Sequence, residues 1–171
     1  IFGKKLGSLD KISVDTESLK KIEFIDQNPI GKSSRSNPVT YIKAFDDIRN
    51  LFANQALAKS RNYKSGFFSF NVDGGRCEHC HGDGEITVEM QFMADVHLLC
   101  EDCKGERYKD EILEIKFHDK NIADILKLTV EEAIDFFTNH KADRIALKLS
   151  PLQQVGLGYV ALGQSSNTLS G

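Results

Sequence analysis

Four cysteines are the residues of this chain best suited to chemistry, and their spacing groups them into two pairs. They are Cys77, Cys80, Cys100 and Cys103. Each pair has the pattern Cys-x-x-Cys, nineteen residues separate the pairs, and glycines that permit tight turns follow both pairs at Gly82, Gly84 and Gly105. This spacing is typical of a four-thiolate zinc site. Because four protein ligands leave no open coordination position, the sequence predicts a structural rather than a catalytic Zn²⁺.

Other uses of these cysteines fit the sequence less well. Two disulfides would suit a secreted protein, and nothing in the sequence indicates export. A redox-active Cys-x-x-Cys needs one pair beside a strand–helix–strand unit, whereas this chain has two matched pairs. Nearby histidines remain candidates to replace one thiolate, because imidazole also binds zinc. These are His79, His81 and His97.

The residues between the two pairs must bring all four thiols to one place. Residues 85–92 alternate between apolar and polar side chains, which predicts a β-strand. A turn near residues 94–95 and a return strand over residues 96–99 would complete a hairpin. A hairpin of this length brings both cysteine pairs to its open end.

The flanking segments predict a mixture of helices and strands. Apolar side chains at helical spacing indicate an amphipathic helix that ends near residue 53, with Asn37 as N-cap and Pro38 in the first position. Further along the chain, Thr129 and Glu132 form a predicted capping box at the start of another helix. Other helices are expected over residues 122–126 and 143–155. Short apolar or aromatic runs predict strands at residues 22–25, 67–72 and 112–117.

Composition and charge limit the class of protein. The chain has 171 residues, of which 40% are hydrophobic and 27% charged, so we expect one domain or one domain with a small module. No apolar stretch approaches the roughly 18 residues of a transmembrane helix. The start lacks both an initiator Met and a signal peptide, which predicts a piece of a longer protein.

Charge is uneven along the chain. Residues 28–80 carry eight basic and four acidic side chains, whereas residues 81–171 carry nine basic and sixteen acidic ones. The overall pI of about 6.0 argues against a protein that simply coats nucleic acid. Both a local basic face and an ordinary solvated surface remain open for the basic segment.

Gly31-Lys32-Ser33 has the ending of a phosphate-binding Walker A loop but lacks the rest of it. The motif needs a glycine five residues before Gly31, where this chain has Asp26. Pro29 also removes a backbone N–H from the stretch that would hold the phosphates. The sequence therefore argues against a working phosphate-binding loop here.

From residue 26 onward the chain carries short motifs in a fixed order. They are Asp26-Gln27-Asn28-Pro29-Ile30-Gly31, Arg35-Ser36-Asn37-Pro38, Phe68-Ser69-Phe70-Asn71-Val72, Gly74-Gly75-Arg76-Cys77-Glu78, Val155-Gly156-Leu157-Gly158-Tyr159, Leu162-Gly163-Gln164 and Thr168-Leu169-Ser170-Gly171. In this order they resemble the second ATPase half of the UvrA family, the damage-recognition subunits of the bacterial UvrABC excinuclease. The resemblance covers nearly all of residues 26–171, and residues 1–25 add nothing to it.

The resemblance implies a cytoplasmic ABC-type ATPase without membrane contact. Such a protein dimerises, binds damaged double-stranded DNA and loads UvrB in nucleotide excision repair, as part of the SOS response. Gln27 resembles the Q-loop glutamine, and Leu169-Ser170-Gly171 resembles the start of the Leu-Ser-Gly-Gly signature. In the full-length parent, Gln27, Ser170 and Gly171 would therefore contact bound ATP and its Mg²⁺. Since the chain contains neither Walker A nor Walker B, we predict that it hydrolyses no ATP by itself.

The implied fold is α+β, a signature domain of helices and strands with an inserted four-cysteine zinc-ribbon hairpin. Residues 1–73 would form the first part of the signature domain, with the Q-loop and the basic segment. Residues 74–108 would form the zinc module, and residues 109–171 the second part, which ends within the signature motif.

The resemblance also places the basic segment, residues 28–80, and the zinc module on a surface that faces DNA. Phosphate contacts are then expected from Lys32, Arg35, Arg61, Lys64 and Arg76. Such contacts position DNA without reading its sequence, which suits a protein that detects altered shape.

Two functions from other classes stay open. Cys77-x-x-Cys80-x-Gly82-x-Gly84 matches the repeat of the DnaJ polypeptide-binding module, but Arg107 occupies the last glycine position after the second pair. DnaJ modules also carry four such repeats, and this chain has two. The other alternative is a purely structural zinc ribbon of a translation or transcription protein.

Overall fold

The computed structural model describes residues 36–93 and 95–168. The strand predicted at residues 22–25 lies outside the described residues. So do several of the predicted site residues, namely Gln27, Lys32, Arg35, Ser170 and Gly171.

The first part of the helical body confirms the predicted cap. Helix α1 spans Pro38–Tyr41, and the Asn37 side chain accepts a hydrogen bond from the backbone N–H of Thr40 at 3.0 Å. The single helix predicted from Pro38 to about residue 53 is wrong, because Lys43, with a φ of 58°, interrupts it. The second helix, α2, spans Ala44–Ala53. The buried side of α2 is lined by Phe45, Ile48 and Phe52. A short helix, α3, follows over Ala56–Ser60.

The aromatic strand predicted over residues 67–72 is wrong. Ser65–Phe68 form a 3-10 helix, and irregular backbone follows. Phe68 and Phe70 are both fully buried, and their rings contact Phe52 and Phe45 of α2 respectively. Aromatic side chains favour strands because they fit a half-buried pleated surface, and here packing against a helix provides the same burial.

The strand predicted over residues 112–117 is mostly wrong as well. Asp110–Leu113 form helix α4, whose two acidic residues in the first turn suit the positive end of a helix dipole. Only Lys116–Phe117 form a strand, β3, which pairs with β4 at Lys120–Asn121.

The second part of the helical body follows the prediction. Helix α5 spans Ile122–Lys127, α6 spans Val130–Asn139 and α7 spans Asp143–Gln154. Thr129 accepts a hydrogen bond from the Glu132 backbone while the Glu132 carboxylate accepts one from the Thr129 backbone, which confirms the capping box. Helices α6 and α7 pack against each other, and α7 also contacts α2.

The predicted hairpin is present but shorter than expected. Strand β1 spans Glu85–Val88 rather than residues 85–92, and it pairs antiparallel with β2 at Val96–Leu99. The main apolar core lies among α1, α2, α5, α6 and α7, and the four cysteines form a second buried cluster. The fold is therefore a mixture of helices and strands, as predicted, with a hairpin beside a cysteine cluster.

Candidate metal centre

The four cysteine thiols converge at one point. Their sulfur atoms all lie within 4.8 Å of one another, and every one of the four residues is buried. The Sγ atoms of Cys77 and Cys100 are 3.9 Å apart, and those of Cys80 and Cys103 are 3.6 Å apart. Four sulfurs at about 2.3 Å from a central Zn²⁺ would stand about 3.8 Å apart in a regular tetrahedron. The sulfur positions therefore fit a tetrahedral metal ion.

Two backbone hydrogen bonds join the residues at the start of the cysteine segment, residues 77–103, to the residues that follow its end. The N–H of Cys77 donates to the carbonyl of Arg107 at 2.8 Å, and the N–H of Lys109 donates to that of Gly75 at 3.0 Å. Between them, Tyr108 is buried, and its hydroxyl donates to the carbonyl of Phe68 at 3.0 Å. These contacts fix the base of the cysteine cluster on the helical body.

The turns after each pair depend on glycine. Gly82 has a φ of 88°, and a Cβ there would lie 2.1 Å from the backbone oxygen of Phe70. Gly84 has a φ of 79°, and its N–H points at the Cys80 sulfur at 3.2 Å. Backbone N–H groups directed at sulfur stabilise a thiolate, which is the form of cysteine that binds metal. The glycines therefore shape the site and also supply a donor to it.

Burial and hydrogen bonding separate the pKa values of the thiols. Burial raises the pKa of Cys103 to about 12. Burial also opposes ionisation of Cys100, but hydrogen bonds from the backbones of Cys103 and Asp102 and from neighbouring thiols lower its pKa to about 7. The Cys100 thiol therefore ionises well before the Cys103 thiol. A divalent cation is what would allow all four to exist together as thiolates.

The neighbouring histidines make contacts outside the sulfur cluster. His79 Nδ1 lies 3.0 Å from a carboxylate oxygen of Asp102, so this pair links the two Cys-x-x-Cys segments. His97 Nδ1 lies 3.1 Å from the hydroxyl of Thr87 across the hairpin. The one group of metal-binding residues found in the described part of the chain consists of the four cysteines. The contact between His79 and Asp102 could not be predicted from the sequence, because the two residues are 23 positions apart.

Three of the predicted DNA-contacting residues lie in the described part of the chain. Arg61 donates to the carboxylate of Glu114 at 2.5 Å, and Arg76 pairs with Asp73 at 2.7 Å. The Arg76 side chain is only 16% exposed. Lys64 is exposed and precedes the 3-10 helix. The structure therefore brings Arg61 and Arg76 into ion pairs within the fold and leaves Lys64 on the surface.

The cysteine segment, residues 77–103, is more acidic than the charge of the longer stretches 28–80 and 81–171 indicates. Residues 77–103 contain seven acidic residues and neither lysine nor arginine. This excess of acidic residues is visible in the sequence itself. Four thiolates with one Zn²⁺ would add two further negative charges, so this segment is strongly anionic.

No helix among the described residues is long and apolar enough to cross a membrane. No protein-family model matches the chain.

Curated proteins and one solved structure are similar to this chain over most of its length. UvrABC system protein A of Aquifex aeolicus is 56% identical over 168 residues, which is 98% of this chain and 18% of that protein. UvrABC system protein A of Staphylococcus aureus strain N315 is 56% identical over 167 residues, or 98% of this chain and 17% of that protein. The crystal structure of UvrA2 from Deinococcus radiodurans matches with a TM-score of 0.78 and 52% identity, over 85% of this chain and 18% of that one. The chain thus spans less than a fifth of the length of these relatives.

Proposed function

Because this chain is a UvrA-type sequence, homologous over nearly its whole length to one segment of UvrABC system protein A, we propose that it works as that segment of a UvrA protein in nucleotide excision repair. The observation that carries the proposal is 56% identity over 98% of the chain. Four clustered thiols at the predicted positions support it. The DnaJ-like module and the unrelated zinc ribbon are not favoured, since the similarity extends far beyond the cysteines.

A segment exchange tests this function. This chain replaces the matching segment of the Staphylococcus aureus protein, and the chimera is expressed in bacteria that lack UvrA. We expect the chimera to restore survival after ultraviolet irradiation. The control is the same chimera with Cys77→Ser and Cys100→Ser. If the chimera accumulates as well as the unmodified S. aureus protein but gives no survival, the chain does not perform this role.

We propose that the four cysteines hold one structural Zn²⁺. Sulfur–sulfur distances of 3.6 and 3.9 Å support this, as does the all-sulfur donor set, which zinc readily accepts. When bound, the ion would join the two Cys-x-x-Cys segments at the base of the hairpin. The glycine turns orient the sulfurs, and the hydrogen bond from the Tyr108 hydroxyl to the Phe68 carbonyl holds the base of the cysteine cluster on the helices.

For the parent protein we propose an ATPase cycle in which this segment takes part without supplying the phosphate-binding loop. Gln27 would respond to bound ATP and Mg²⁺ within its own half, and Ser170 and Gly171 would approach the nucleotide across an interface. Backbone N–H groups at a helix start suit the phosphate charge in such a contact. We further propose that the parent is a cytoplasmic homodimer that recruits UvrB through other regions.

Contact with DNA phosphates is proposed for the basic segment, with Lys64 as its clearest contributor among the described residues. Lys64 is exposed, whereas Arg61 and Arg76 are engaged in ion pairs that contact with DNA would have to break. Lys32 and Arg35 belong to the same proposal from their sequence position. These residues would position damaged duplex DNA without reading its bases.

Charge reversal in the chimera tests the DNA surface. Lys64→Glu should weaken duplex binding and reduce the slope of log affinity against log salt by about one, because one fewer counterion is released. Lys116→Glu, an exposed lysine of β3 outside the basic segment, is the matched control. Equal binding and equal salt slopes for Lys64→Glu and the control would contradict this part of the proposal while leaving the survival test unaffected.

A further inference from the structure

A cleft of about 270 Å³ leads to the sulfur cluster from one side. Two of the four cysteines, Cys77 and Cys103, lie on its lining, together with His79 and Asp102. Both cysteines are buried, whereas the side chains of His79 and Asp102 are 50% and 61% exposed. The sulfurs therefore lie at the inner end of the cleft, and His79 and Asp102 lie on its solvent side.

The contact between His79 and Asp102 crosses this cleft. His79 is the third residue of the first Cys-x-x-Cys segment, and Asp102 is the third residue of the second. Their contact of 3.0 Å between Nδ1 and a carboxylate oxygen therefore joins the same two segments that an ion bound to all four sulfurs would join. The two segments cannot move apart at the cleft without breaking it.

The charge of the cleft favours a cation. Three carboxylates line it, those of Glu78, Asp102 and Asp110. The lysine on its lining, Lys109, is paired with Glu78 at 2.5 Å, which leaves the carboxylates in excess. A recess lined by one sign of charge concentrates ions of the opposite sign. A metal site needs such an entry path as well as its ligands.

We infer that this cleft is the path by which a metal ion reaches and leaves the four cysteines, and that the contact between His79 and Asp102 is a clasp that closes it. An ion can leave through the cleft only when the two Cys-x-x-Cys segments separate beside Cys77 and Cys103. The clasp opposes that separation from outside the sulfur cluster, so His79 and Asp102 are positioning residues rather than ligands. The inference rests on the proposed zinc site and concerns how fast that site exchanges its ion.

Zinc release from the zinc-loaded chain into an excess of a chromogenic chelator tests the clasp. We expect release to become about threefold faster with Asp102→Asn, as for the loss of one partly exposed charge pair. Glu101→Gln is the matched control, because it removes the same charge from the neighbouring exposed residue outside the cleft, and it should release zinc at the wild-type rate. Zinc content and circular dichroism check that each variant is loaded and folded. Equal release rates for Asp102→Asn and Glu101→Gln would overturn the inference.

An exchange of the two residues separates the clasp from a merely structural role. His79→Asp alone places two carboxylates together and should speed release, whereas His79→Asp combined with Asp102→His forms the pair in reverse. Because both residues hold the same position in their Cys-x-x-Cys segments, the exchange keeps their spacing. The double variant should release zinc within about twofold of the wild-type rate. Additive acceleration in the double variant would show that the two residues do not act through their contact, and would overturn the inference.

Alkylation of the zinc-loaded chain with iodoacetamide tests the path. Four thiolates on one ion share the same charge state, so the order in which they react reports their access to the reagent. Peptide mass spectrometry should show Cys77 and Cys103 modified before Cys80 and Cys100, and the reverse order would overturn the path. A chain that holds no zinc would contradict the proposed metal site and this inference together. A chain that holds one zinc ion but fails these tests would contradict this inference alone.

Discussion

At the scale of single residues, the cysteine cluster is constrained as tightly by its glycines as by its sulfurs. Gly82 combines a φ of 88° with a position where a Cβ would lie 2.1 Å from the Phe70 backbone oxygen. A backbone atom cannot rotate out of the way as a side chain can. The turn after the first cysteine pair therefore accepts no side chain without moving Phe70, which is itself buried in the core.

We predict that Gly82→Ala destabilises the chain by about 2 kcal/mol or more, because it adds a left-handed alanine to a backbone clash. Urea unfolding of the zinc-loaded chain measures this effect. Gly66→Ala is the matched control, since a methyl group at Gly66 would have no neighbouring atom within 4 Å and the residue has no left-handed φ. The control should change stability by less than about 1 kcal/mol. Similar losses in the two variants would contradict the assigned role of Gly82.

The cysteines give a second prediction at this scale. Cys100→Ser should reduce bound zinc from one ion per chain to a small fraction, because three sulfurs and a hydroxyl make a much weaker site. Elemental analysis after purification without chelators measures the metal. His97→Ala should keep its zinc, since His97 lies in the hairpin and contacts Thr87 rather than the sulfur cluster. Zinc retained by Cys100→Ser, or lost from His97→Ala, would show that the ligand set is wrong.

At the scale of secondary-structure elements, the helix starts are the best-defined local features. Thr129 and Glu132 exchange hydrogen bonds at the start of α6. Those hydrogen bonds from the backbone and side chain of Thr129 lower the pKa of Glu132 below its ordinary value of 4.5. A lowered pKa in the folded state means that the ionised carboxylate stabilises the fold above the ordinary value. That contribution is lost as the pH falls through the lowered pKa.

We predict that Glu132→Gln makes this contribution independent of pH, because the amide oxygen still accepts the Thr129 hydrogen bond but does not ionise. The wild type should have the higher Tm at about pH 6, and its advantage should shrink or reverse by about pH 3. Asp135→Asn, an exposed acid further along α6, is the control. A Tm difference between wild type and Glu132→Gln that stays constant across this range would contradict the prediction.

The aromatic segment, residues 67–72, differs from the helix starts because its local sequence did not predict its structure. Its residues favour a strand by composition, but Phe68 and Phe70 point into contacts with α2, and Tyr108 donates to the carbonyl of Phe68 from 40 residues further along the chain. Local preference was outweighed by partners that lie far away in sequence. The same holds for residues 110–113, where the short α4 replaces the predicted strand.

At the scale of the whole molecule, charge is distributed unevenly along the chain. The cysteine segment over residues 77–103 is acidic, whereas residues 28–76 before it carry eight basic and three acidic side chains. Of these two segments, only the basic one supplies the positive charge that the proposed contact with DNA phosphates requires.

We predict that the 171-residue chain hydrolyses no ATP by itself. Phosphoryl transfer needs a phosphate-binding loop, bound Mg²⁺ and a residue that orients the attacking water, and the chain's sequence contains no complete Walker A or Walker B motif. Phosphate release is measured with the chain purified over two unrelated columns. The S. aureus chimera that carries the same chain is the positive control. ATP turnover that follows the chain through both columns would contradict the prediction.

The sequence by itself determined the features that depend on a few neighbouring residues. Asn37, Thr129 and Glu132 predicted two helix starts, because a cap is built within one turn of backbone. The cysteine spacing predicted the sulfur cluster, because each Cys-x-x-Cys pair is equally local and the alternating residues between the pairs predicted the hairpin that joins them. The order of the motifs likewise indicated the UvrA family.

Only the tertiary structure decided the features that depend on distant partners. The sequence analysis predicted that Arg61 contacts DNA, whereas in the structure it pairs with Glu114, 53 residues away. Residues 67–72 carry the composition of a strand, yet they pack as a 3-10 helix and irregular backbone against α2. The exposure of Leu98 and Leu147 also has no local signature, since an apolar residue is buried or left open by what the rest of the chain places beside it. Burial and ion pairing depend on contacts between segments that are far apart in the sequence. They are therefore determined only when the chain has folded.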